Sequence, residues 1–318
     1  MSKGLVFRDS ALQRHYEECG YAAFPLLSPR LVREIRDFYS TLNLEDRFGI
    51  GYKVSLYSSD LETRRRAREF LVDKAFPALD SHLVDRYPYM ATYLVKDPDG
   101  RFIPAHQDWS HCDEMKHDSI MCWIPLCDVD EHNGGLGFVN GSHRYFDYLR
   151  VFPYSVARTP VDCHGLRLLP YLNILRMRAG DVVVFNNRVV HGSLPNSRDE
   201  RRTALSFALH PKAEPLLGYY LKPKSGAKVA LRYRATPEFY LEYPNPRMVE
   251  LYARGAEIQG YECEEIPYQV PTIEWEELEA KLQATGNRVN PGRAPQAMEL
   301  IGQAAAPRNP SGSPGRNE

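Results

Sequence analysis

A short polar stretch at residues 104–118, PAHQDWSHCDEMKHD, concentrates side chains that can bind a metal ion. Within it, His106 and Asp108 stand two positions apart. Residues i and i+2 of an extended strand project from the same face, so this imidazole and this carboxylate would point together. The pair therefore supplies two adjacent ligands for a divalent metal.

A third ligand is available farther along the chain, in GDVVVFNNRVVHGSL at residues 180–194. His191 follows a β-branched run and precedes a Gly-Ser turn, which places it at the end of a strand. Two histidines and one carboxylate on one side of a metal form the facial triad of non-haem Fe(II) sites, which leaves other coordination positions open. A lone His-x-Asp triplet is weak evidence, whereas its combination with His191 is far more specific.

Arg202 lies eleven residues after His191 and opens the run RTALSFALH. A guanidinium is a permanently charged fork that holds a carboxylate through two parallel hydrogen bonds. A buried arginine beside such a metal would find a partner in the distal carboxylate of 2-oxoglutarate. Ser193 could donate its hydroxyl to the same carboxylate. Arg201 would face the other way on an extended strand.

The elements that must position these residues are short strands. They are rich in β-branched and aromatic residues and are separated by Gly, Pro and Asx turns, as in 89–96, 120–129, 180–194 and 202–210. This pattern of short strands separated by turns predicts an all-β sandwich or jelly roll. The chain has no βαβ alternation and no GxGxxG, which argues against a nucleotide-binding doubly wound sheet.

Helices are expected on both sides of these strands. The segment 20–42 is typical of a strand followed by a helix, with Ser28 as N-cap and Pro29 at the first helical position. Further helical patterns cover about 60–86, 245–254 and 273–284. We therefore expect a single domain over 1–284 with a jelly-roll core at about 88–210, and the composition of 285–318 predicts a disordered tail.

Composition is that of an ordinary soluble globular protein, with 43% hydrophobic residues and a formal net charge of −1. The near-neutral charge gives no field that favours nucleic acid or an anionic membrane. No apolar run reaches the roughly 20 residues of a membrane helix. Six cysteines without a CxxC pair indicate reduced thiols. We expect a cytoplasmic protein with a small-molecule substrate, and the sequence does not indicate its oligomeric state.

Taken together, these motifs resemble the phytanoyl-CoA dioxygenase-like family of Fe(II)/2-oxoglutarate-dependent oxygenases. The resemblance covers most of 15–210. It is carried by GYAAFPLLSPRLVREI, PAHQDW, WIPLCDVDEHNGGLGFVNGSHR and GDVVVFNNRVVHGSLPNSRDERR. It implies a mainly β protein with a double-stranded β-helix, the jelly-roll or cupin-like core, and flanking α-helices packed against one sheet.

The same resemblance implies roles for individual residues. Iron would be ligated by the three candidates named above, and 2-oxoglutarate would be anchored by Arg202, which the family spacing favours over Arg201. Tyr93 stands where family members often place a residue that contacts the cosubstrate.

The implied reaction uses O2 to decarboxylate 2-oxoglutarate to succinate and CO2, coupled to hydroxylation of an unactivated C–H bond. Asp108 favours hydroxylation, because related halogenases replace this carboxylate with a small residue. Desaturation, epoxidation or cyclisation with the same cofactors stays open. So does a cupin-like metalloenzyme that uses no 2-oxoglutarate and would not need Arg202. A non-catalytic jelly-roll binding protein should have lost one of the three ligands.

The 109–119 loop, WSHCDEMKHDS, follows the metal-binding strand directly and is expected at the mouth of the site. Trp109, His111 and Asp113 are its candidate substrate contacts. We expect a small metabolite as substrate, such as an amino acid or an intermediate of natural-product biosynthesis. No basic cluster strong enough for the phosphates of a CoA thioester is present.

Overall fold

The structure is a computed structural model, and it describes residues 4–42, 44, 51–98, 100–154, 156–269 and 272–293. Its strands are β1 (Tyr21–Pro25), β2 (Tyr52–Val54), β3 (Arg86–Lys96), β4 (Ile103–His106), β5 (Ile120–Pro125), β6 (Leu136–Phe138), β7 (Asn173–Ile174), β8 (Asp181–Asn186), β9 (His191–Ser193), β10 (Arg202–Pro211), β11 (Leu217–Leu221), β12 (Val229–Arg234) and β13 (Cys263–Pro267). Its α-helices are α1 (Ser10–Cys19), α2 (Pro29–Tyr39), α3 (Leu61–Lys74), α4 (Phe76–Asp80), α5 (Pro160–Cys163), α6 (Pro237–Glu242), α7 (Asn245–Ala253) and α8 (Trp275–Ala284).

Antiparallel pairing arranges the strands in three sheets. A six-stranded sheet has the order β1-β8-β5-β10-β3-β2, and a four-stranded sheet has the order β4-β9-β6-β7. The strands β11, β12 and β13 form a third, separate sheet. The mainly β architecture with flanking helices confirms the predicted jelly-roll class.

Alternation along β10 explains how the large sheet serves two purposes. Leu205 and Phe207 pack into the core that the sheet forms with the helices, which also contains Ile35 of α2. Ser206 and Ala208 point to the opposite face and line a cavity. Successive residues of a strand face opposite sides, so one side of the sheet binds helices while the other is available for a site.

The predicted strand–helix opening is present. Ser28 is the N-cap of α2, its side chain accepts a hydrogen bond from the Leu31 N–H at 3.3 Å, and Pro29 follows at the first helical position. Val32 and Ile35 form the buried face of the helix. The helical pattern expected over about 60–86 divides into α3 and α4, and β3 already begins at Arg86.

The C-terminal region contains both predicted helices, as α7 and α8, together with a three-stranded sheet that we did not predict. Part of the expected tail is described. Asn287 donates to the Asn140 carbonyl at 2.9 Å, and Arg293 donates to the Leu172 carbonyl. The remainder, 294–318, lies outside the described residues. Among the described helices, none has the length and apolarity that crossing a bilayer requires.

Candidate active site

The three predicted ligands come together where β4 meets β9. His106 ends β4, His191 begins β9, and the two are direct partners across the antiparallel pair. Asp108 lies against both: its Oδ1 is 4.0 Å from His106 Nε2, and its Oδ2 is 3.6 Å from His191 Nε2. The three donor atoms, one from each residue, all lie within 4.8 Å of one another. A single ion can therefore contact all three.

Backbone carbonyls orient both imidazoles. Nδ1 of His106 is 2.9 Å from the Pro104 carbonyl, and Nδ1 of His191 is 3.0 Å from the Val189 carbonyl. A carbonyl only accepts, so each Nδ1 carries the proton and each Nε2 presents a lone pair. Burial lowers the pKa of His191 to about 4, so this ring is neutral near pH 7. Two imidazoles and a carboxylate are a donor set that suits a divalent transition metal.

Asp108 reaches this position by a different route from the one predicted. Because β4 ends at His106, strand alternation does not extend to Asp108. Instead, the Asp108 N–H donates to the Asn187 carbonyl at 2.9 Å, and the Arg150 guanidinium donates to the Asp108 carbonyl. Hydrogen bonds to distant segments, which no local pattern reveals, thus place this carboxylate.

A buried ion-pair network supports the segment after Asp108. A Glu114 carboxylate oxygen lies 2.6 Å from Arg150 Nη2, and the other lies 3.2 Å from Arg188 Nε. The Glu114 and Arg150 side chains are only 6% and 2% exposed. Removing one member of such a pair leaves an uncompensated buried charge. Glu114 therefore anchors the 109–119 loop.

Arg202 lines the same cavity as the histidines. It is 2% exposed, and its Nε and Nη1 have no hydrogen-bond partner. Its guanidinium carbon lies 5.3 Å from the ring centre of Trp123 and 5.9 Å from that of Tyr52. In the described part of the chain, Arg202 forms no ion pair with a carboxylate. A buried guanidinium without a counter-charge is costly, and a carboxylate of a bound cosubstrate would fit it.

Arg201 points away from the cavity. Its side chain is 52% exposed, and its Nε lies 2.9 Å from an Asp97 carboxylate oxygen. The buried position of Arg202 and the exposed position of Arg201 agree with the preference for Arg202 as the residue that would anchor 2-oxoglutarate.

Lys96 is a second buried cation next to Arg202 that sequence reasoning missed. The two residues are direct partners in the β3–β10 pair, and Lys96 is fully buried. Its Nζ donates to Ser193 Oγ at 2.7 Å and to the Leu194 carbonyl at 2.6 Å. Ser193 Oγ therefore accepts from Lys96, and its own proton is directed elsewhere. Gly134 provides space, because a Cβ there would lie 2.7 Å from Lys96 Cδ.

The position of Tyr93 contradicts its predicted contact with the cosubstrate. Its ring is fully buried in the helix-covered core, and its hydroxyl donates to the Ile35 carbonyl at 2.8 Å. Its neighbours Thr92 and Leu94 line the cavity instead. The strand was correctly predicted, but its face was not, because the choice of face depends on where the helices pack.

Of the three candidate substrate contacts, the structure places only Trp109 on the cavity wall. His111 is buried among aromatic rings, with Nδ1 2.9 Å from the Tyr240 hydroxyl, and burial lowers its pKa to about 3. Asp113 turns outward, 3.5 Å from Lys116 Nζ. His111 and Asp113 were thus wrongly assigned to the substrate, because the loop is folded against the protein.

A cavity of about 740 Å³ connects these groups. Both sheets contribute to it: β3, β5 and β10 supply one wall, whereas β4 and β9 supply the wall with the metal ligands. A third wall comes from α7 through Asn245, Pro246, Val249 and Glu250, a contribution that the sequence did not indicate. The candidate metal ligands, Arg202 and Ser193 all open into one space.

A jelly roll that joins a His-Asp-His cluster, in one cavity, to a buried arginine with no carboxylate partner among the described residues defines a class, the 2-oxoglutarate-dependent non-haem iron dioxygenases. The sequence model of the family described as phytanoyl-CoA dioxygenase matches residues 52–204. The matched residues make up just under half of the chain, and the match confirms the resemblance found in the sequence.

Individual proteins are similar over shorter or more diverged regions. A probable alpha-ketoglutarate-dependent hypophosphite dioxygenase from Stutzerimonas stutzeri is 29% identical over 132 residues, which are 39% of this chain and 45% of that protein. The match thus spans less than half the length of that relative.

Among solved structures, the non-heme alpha ketoglutarate dependent carbocyclase SnoK from nogalamycin biosynthesis aligns with a TM-score of 0.52 and 21% identity, over 66% of this chain and 86% of SnoK. The epimerase SnoN from the same biosynthesis aligns with a TM-score of 0.47 and 20% identity, over 65% of this chain and 84% of SnoN. The similarity to SnoK shows a shared fold.

Proposed function

We propose that the protein is an Fe(II)- and 2-oxoglutarate-dependent hydroxylase that acts on an unactivated C–H bond of a small metabolite and releases succinate and CO2. One observation carries the proposal: the buried Arg202, without a carboxylate partner among the described residues, shares a cavity with the three-donor cluster. The cluster alone would also suit a metalloenzyme that uses no 2-oxoglutarate. Such an enzyme would have no need of this guanidinium.

His106, Asp108 and His191 would hold the iron, and Arg202 would bind the distal carboxylate of 2-oxoglutarate. Ser193, whose oxygen accepts from Lys96, would donate its proton to that carboxylate. The rings of Tyr52 and Trp123 would cover the guanidinium and exclude water from it. When bound, iron and 2-oxoglutarate supply the O2 activation that oxidises a C–H bond.

Asp108 supports hydroxylation as the outcome, because its carboxylate occupies the position that a halogenase needs for a halide. Desaturation, epoxidation and cyclisation require the same residues, so the bound substrate would decide between them and hydroxylation. The six cysteines are all unpaired, which supports a cytoplasmic enzyme with reduced thiols.

Succinate release tests this function. The full chain is incubated with Fe(II), ascorbate, 2-oxoglutarate and air, and succinate is quantified. We expect His106→Ala to abolish turnover, because the metal loses a ligand. Arg202→Ala should weaken 2-oxoglutarate binding about 30-fold or more, since removing one partner of a buried charge pair costs about 2–5 kcal/mol.

Arg201→Lys is the matched control, since Arg201 points away from the cavity and lysine keeps a positive charge beside the buried Asp97 carboxylate. It should keep turnover within about twofold of the parent, as expected for a surface substitution. Turnover that survives both His106→Ala and Arg202→Ala would refute the assignment.

A further inference from the structure

The part of the cavity not assigned to metal and cosubstrate has mostly apolar walls. Met90 of β3 and Met121 of β5 line one side, and Val249 of α7 lines another. Trp109 adds a fixed aromatic surface, because its ring stacks on Phe152 with centroids 4.2 Å apart and planes at 19°. Aromatic and thioether side chains recognise a ligand through contact area and provide no charge.

The charged groups of the cavity already have roles under the proposed function. His106, Asp108 and His191 would bind the metal, and Arg202 would bind the cosubstrate. Among the described residues that line the cavity, the remaining charged side chain is Glu250, which is exposed. An anionic substrate would thus be buried without a cationic partner, which is strongly unfavourable.

The available space favours a molecule larger than the cosubstrate. The cavity volume of about 740 Å³ includes the region of Arg202. It falls in the range of roughly 300–1,000 Å³ typical of sites for drug-sized ligands. 2-Oxoglutarate, a five-carbon diacid, would occupy a minor share of it.

We propose, on the basis of the proposed function, that the substrate is an uncharged, largely apolar molecule with an aromatic or fused-ring face that packs against Trp109, Met121 and Val249. A free amino acid does not meet this requirement, because its carboxylate would need a second cation. Phosphates, phosphonates and CoA thioesters fail for the same reason. The substrate class is therefore narrower than the small metabolites that the sequence suggested.

A matched set of three probes tests this class: 2-naphthylmethanol, 2-naphthoate and 2-naphthylmethylamine. They share one ring system and differ in charge, being neutral, anionic and cationic at pH 7. Binding to the full chain is measured by fluorescence with Ni(II) and saturating 2-oxoglutarate present, so that Arg202 is occupied. We expect the neutral probe to bind at least tenfold more tightly than either charged probe.

Val249→Lys tests the location, because it adds a cation to the cavity wall. It should raise the affinity for 2-naphthoate at least tenfold and weaken binding of the neutral probe. Val289→Lys is the control, since Val289 is 44% exposed and does not line the cavity. It should leave all three affinities within twofold, and thermal melting verifies that both variants fold.

The outcomes separate this inference from the proposed function. Preference for 2-naphthoate in the parent protein would overturn the uncharged class. Preference for the amine would also overturn it and would indicate recognition by Glu250. Equal binding of the three probes would mean that the apolar walls do not discriminate between ligands by charge, and it too would overturn the uncharged class. Failure of 2-oxoglutarate itself to bind, measured in a separate titration, would instead refute the proposed function.

Discussion

The direction of the Ser193 hydroxyl is set by one neighbour, the ammonium of Lys96. Because Lys96 also donates to the Leu194 carbonyl, its position is fixed on two sides. Desolvation lowers the pKa of Lys96 well below its ordinary value, and the neighbouring Arg202 charge lowers it further. A buried lysine at this position is costly, and under the proposed function its hydrogen bond to Ser193 would give it a role in orienting the cosubstrate.

Lys96→Met should therefore weaken 2-oxoglutarate binding by about tenfold or more, because a hydrogen bond to a charged group contributes about 1.5–3 kcal/mol. The measurement is calorimetric titration of 2-oxoglutarate into the Ni(II)-loaded protein, with Ni(II) affinity recorded separately. Ni(II) affinity should stay unchanged, since Lys96 does not touch the metal ligands.

Lys53→Met provides the comparison. Lys53 is also a buried lysine that donates to a backbone carbonyl, that of Leu44 at 3.0 Å, but Leu44, unlike Ser193, does not line the cavity. If both variants weaken 2-oxoglutarate binding equally, the effect is a general loss of packing and Lys96 has no specific role.

The 109–119 loop shows how a polar segment can be an anchored element. We expected substrate contacts from this loop at the mouth of the site, yet the Ser110 N–H donates to the Arg150 carbonyl at 3.1 Å and the Leu217 N–H donates to the His111 carbonyl at 3.0 Å. Glu114 adds its buried ion pairs. Histidine and glutamate in a loop are ordinarily solvated, so only the tertiary contacts reveal this arrangement.

Burial of His111 makes the stability of the protein depend on pH. Its pKa falls from 6.5 to about 3 on folding, with desolvation as the largest cause. Between these values the unfolded chain binds a proton that the folded chain does not, so stability decreases as the pH falls below 6.5. Through this one residue, the free energy of unfolding should fall by about 2 kcal/mol between pH 7 and pH 5.

Urea unfolding of His111→Gln at both pH values checks the effect. The variant should lose about 2 kcal/mol less than the parent protein over this interval, whatever its absolute stability. Val289→Gln, at an exposed position that does not titrate, should keep the parent's pH dependence. An unchanged pH dependence in His111→Gln would show that His111 is not buried in its neutral form.

Local sequence patterns predicted well where the helices and strands lie, but predicted poorly which side of a strand packs into the core and which lines the cavity. The N-cap at Ser28 and the periodicity of α2 involve neighbours in sequence, so the helix was predictable. Tyr93 and Lys96 lie in a correctly predicted strand, but their environments depend on helices and strands far away in the chain. The wall formed by α7 depends likewise on packing between distant segments, as does the anchoring of the 109–119 loop.

At the scale of the whole molecule, the site joins both sheets of the jelly roll. Ligands that bind only the folded state stabilise it, by about 2.7 kcal/mol at a concentration a hundredfold above Kd. We expect Ni(II) to raise the free energy of unfolding, and 2-oxoglutarate to raise it further by this amount. Chemical denaturation with each ligand in turn measures both increments.

Arg202→Ala should keep the stabilisation by Ni(II) and lose the stabilisation by 2-oxoglutarate. His106→Ala should lose the stabilisation by Ni(II). If 2-oxoglutarate stabilises Arg202→Ala as much as the parent protein, the cosubstrate binds elsewhere.

The order of the site along the chain has a consequence for its assembly. The metal ligands and Arg202 are all translated by residue 202, whereas the wall formed by α7 begins at Asn245. Domains can fold from the N-terminal side while the ribosome is still at work. Within the single domain expected here, the residues proposed for iron and 2-oxoglutarate are therefore synthesised before the wall that would contact the substrate. Selectivity for the substrate is then the last property that the growing polypeptide acquires.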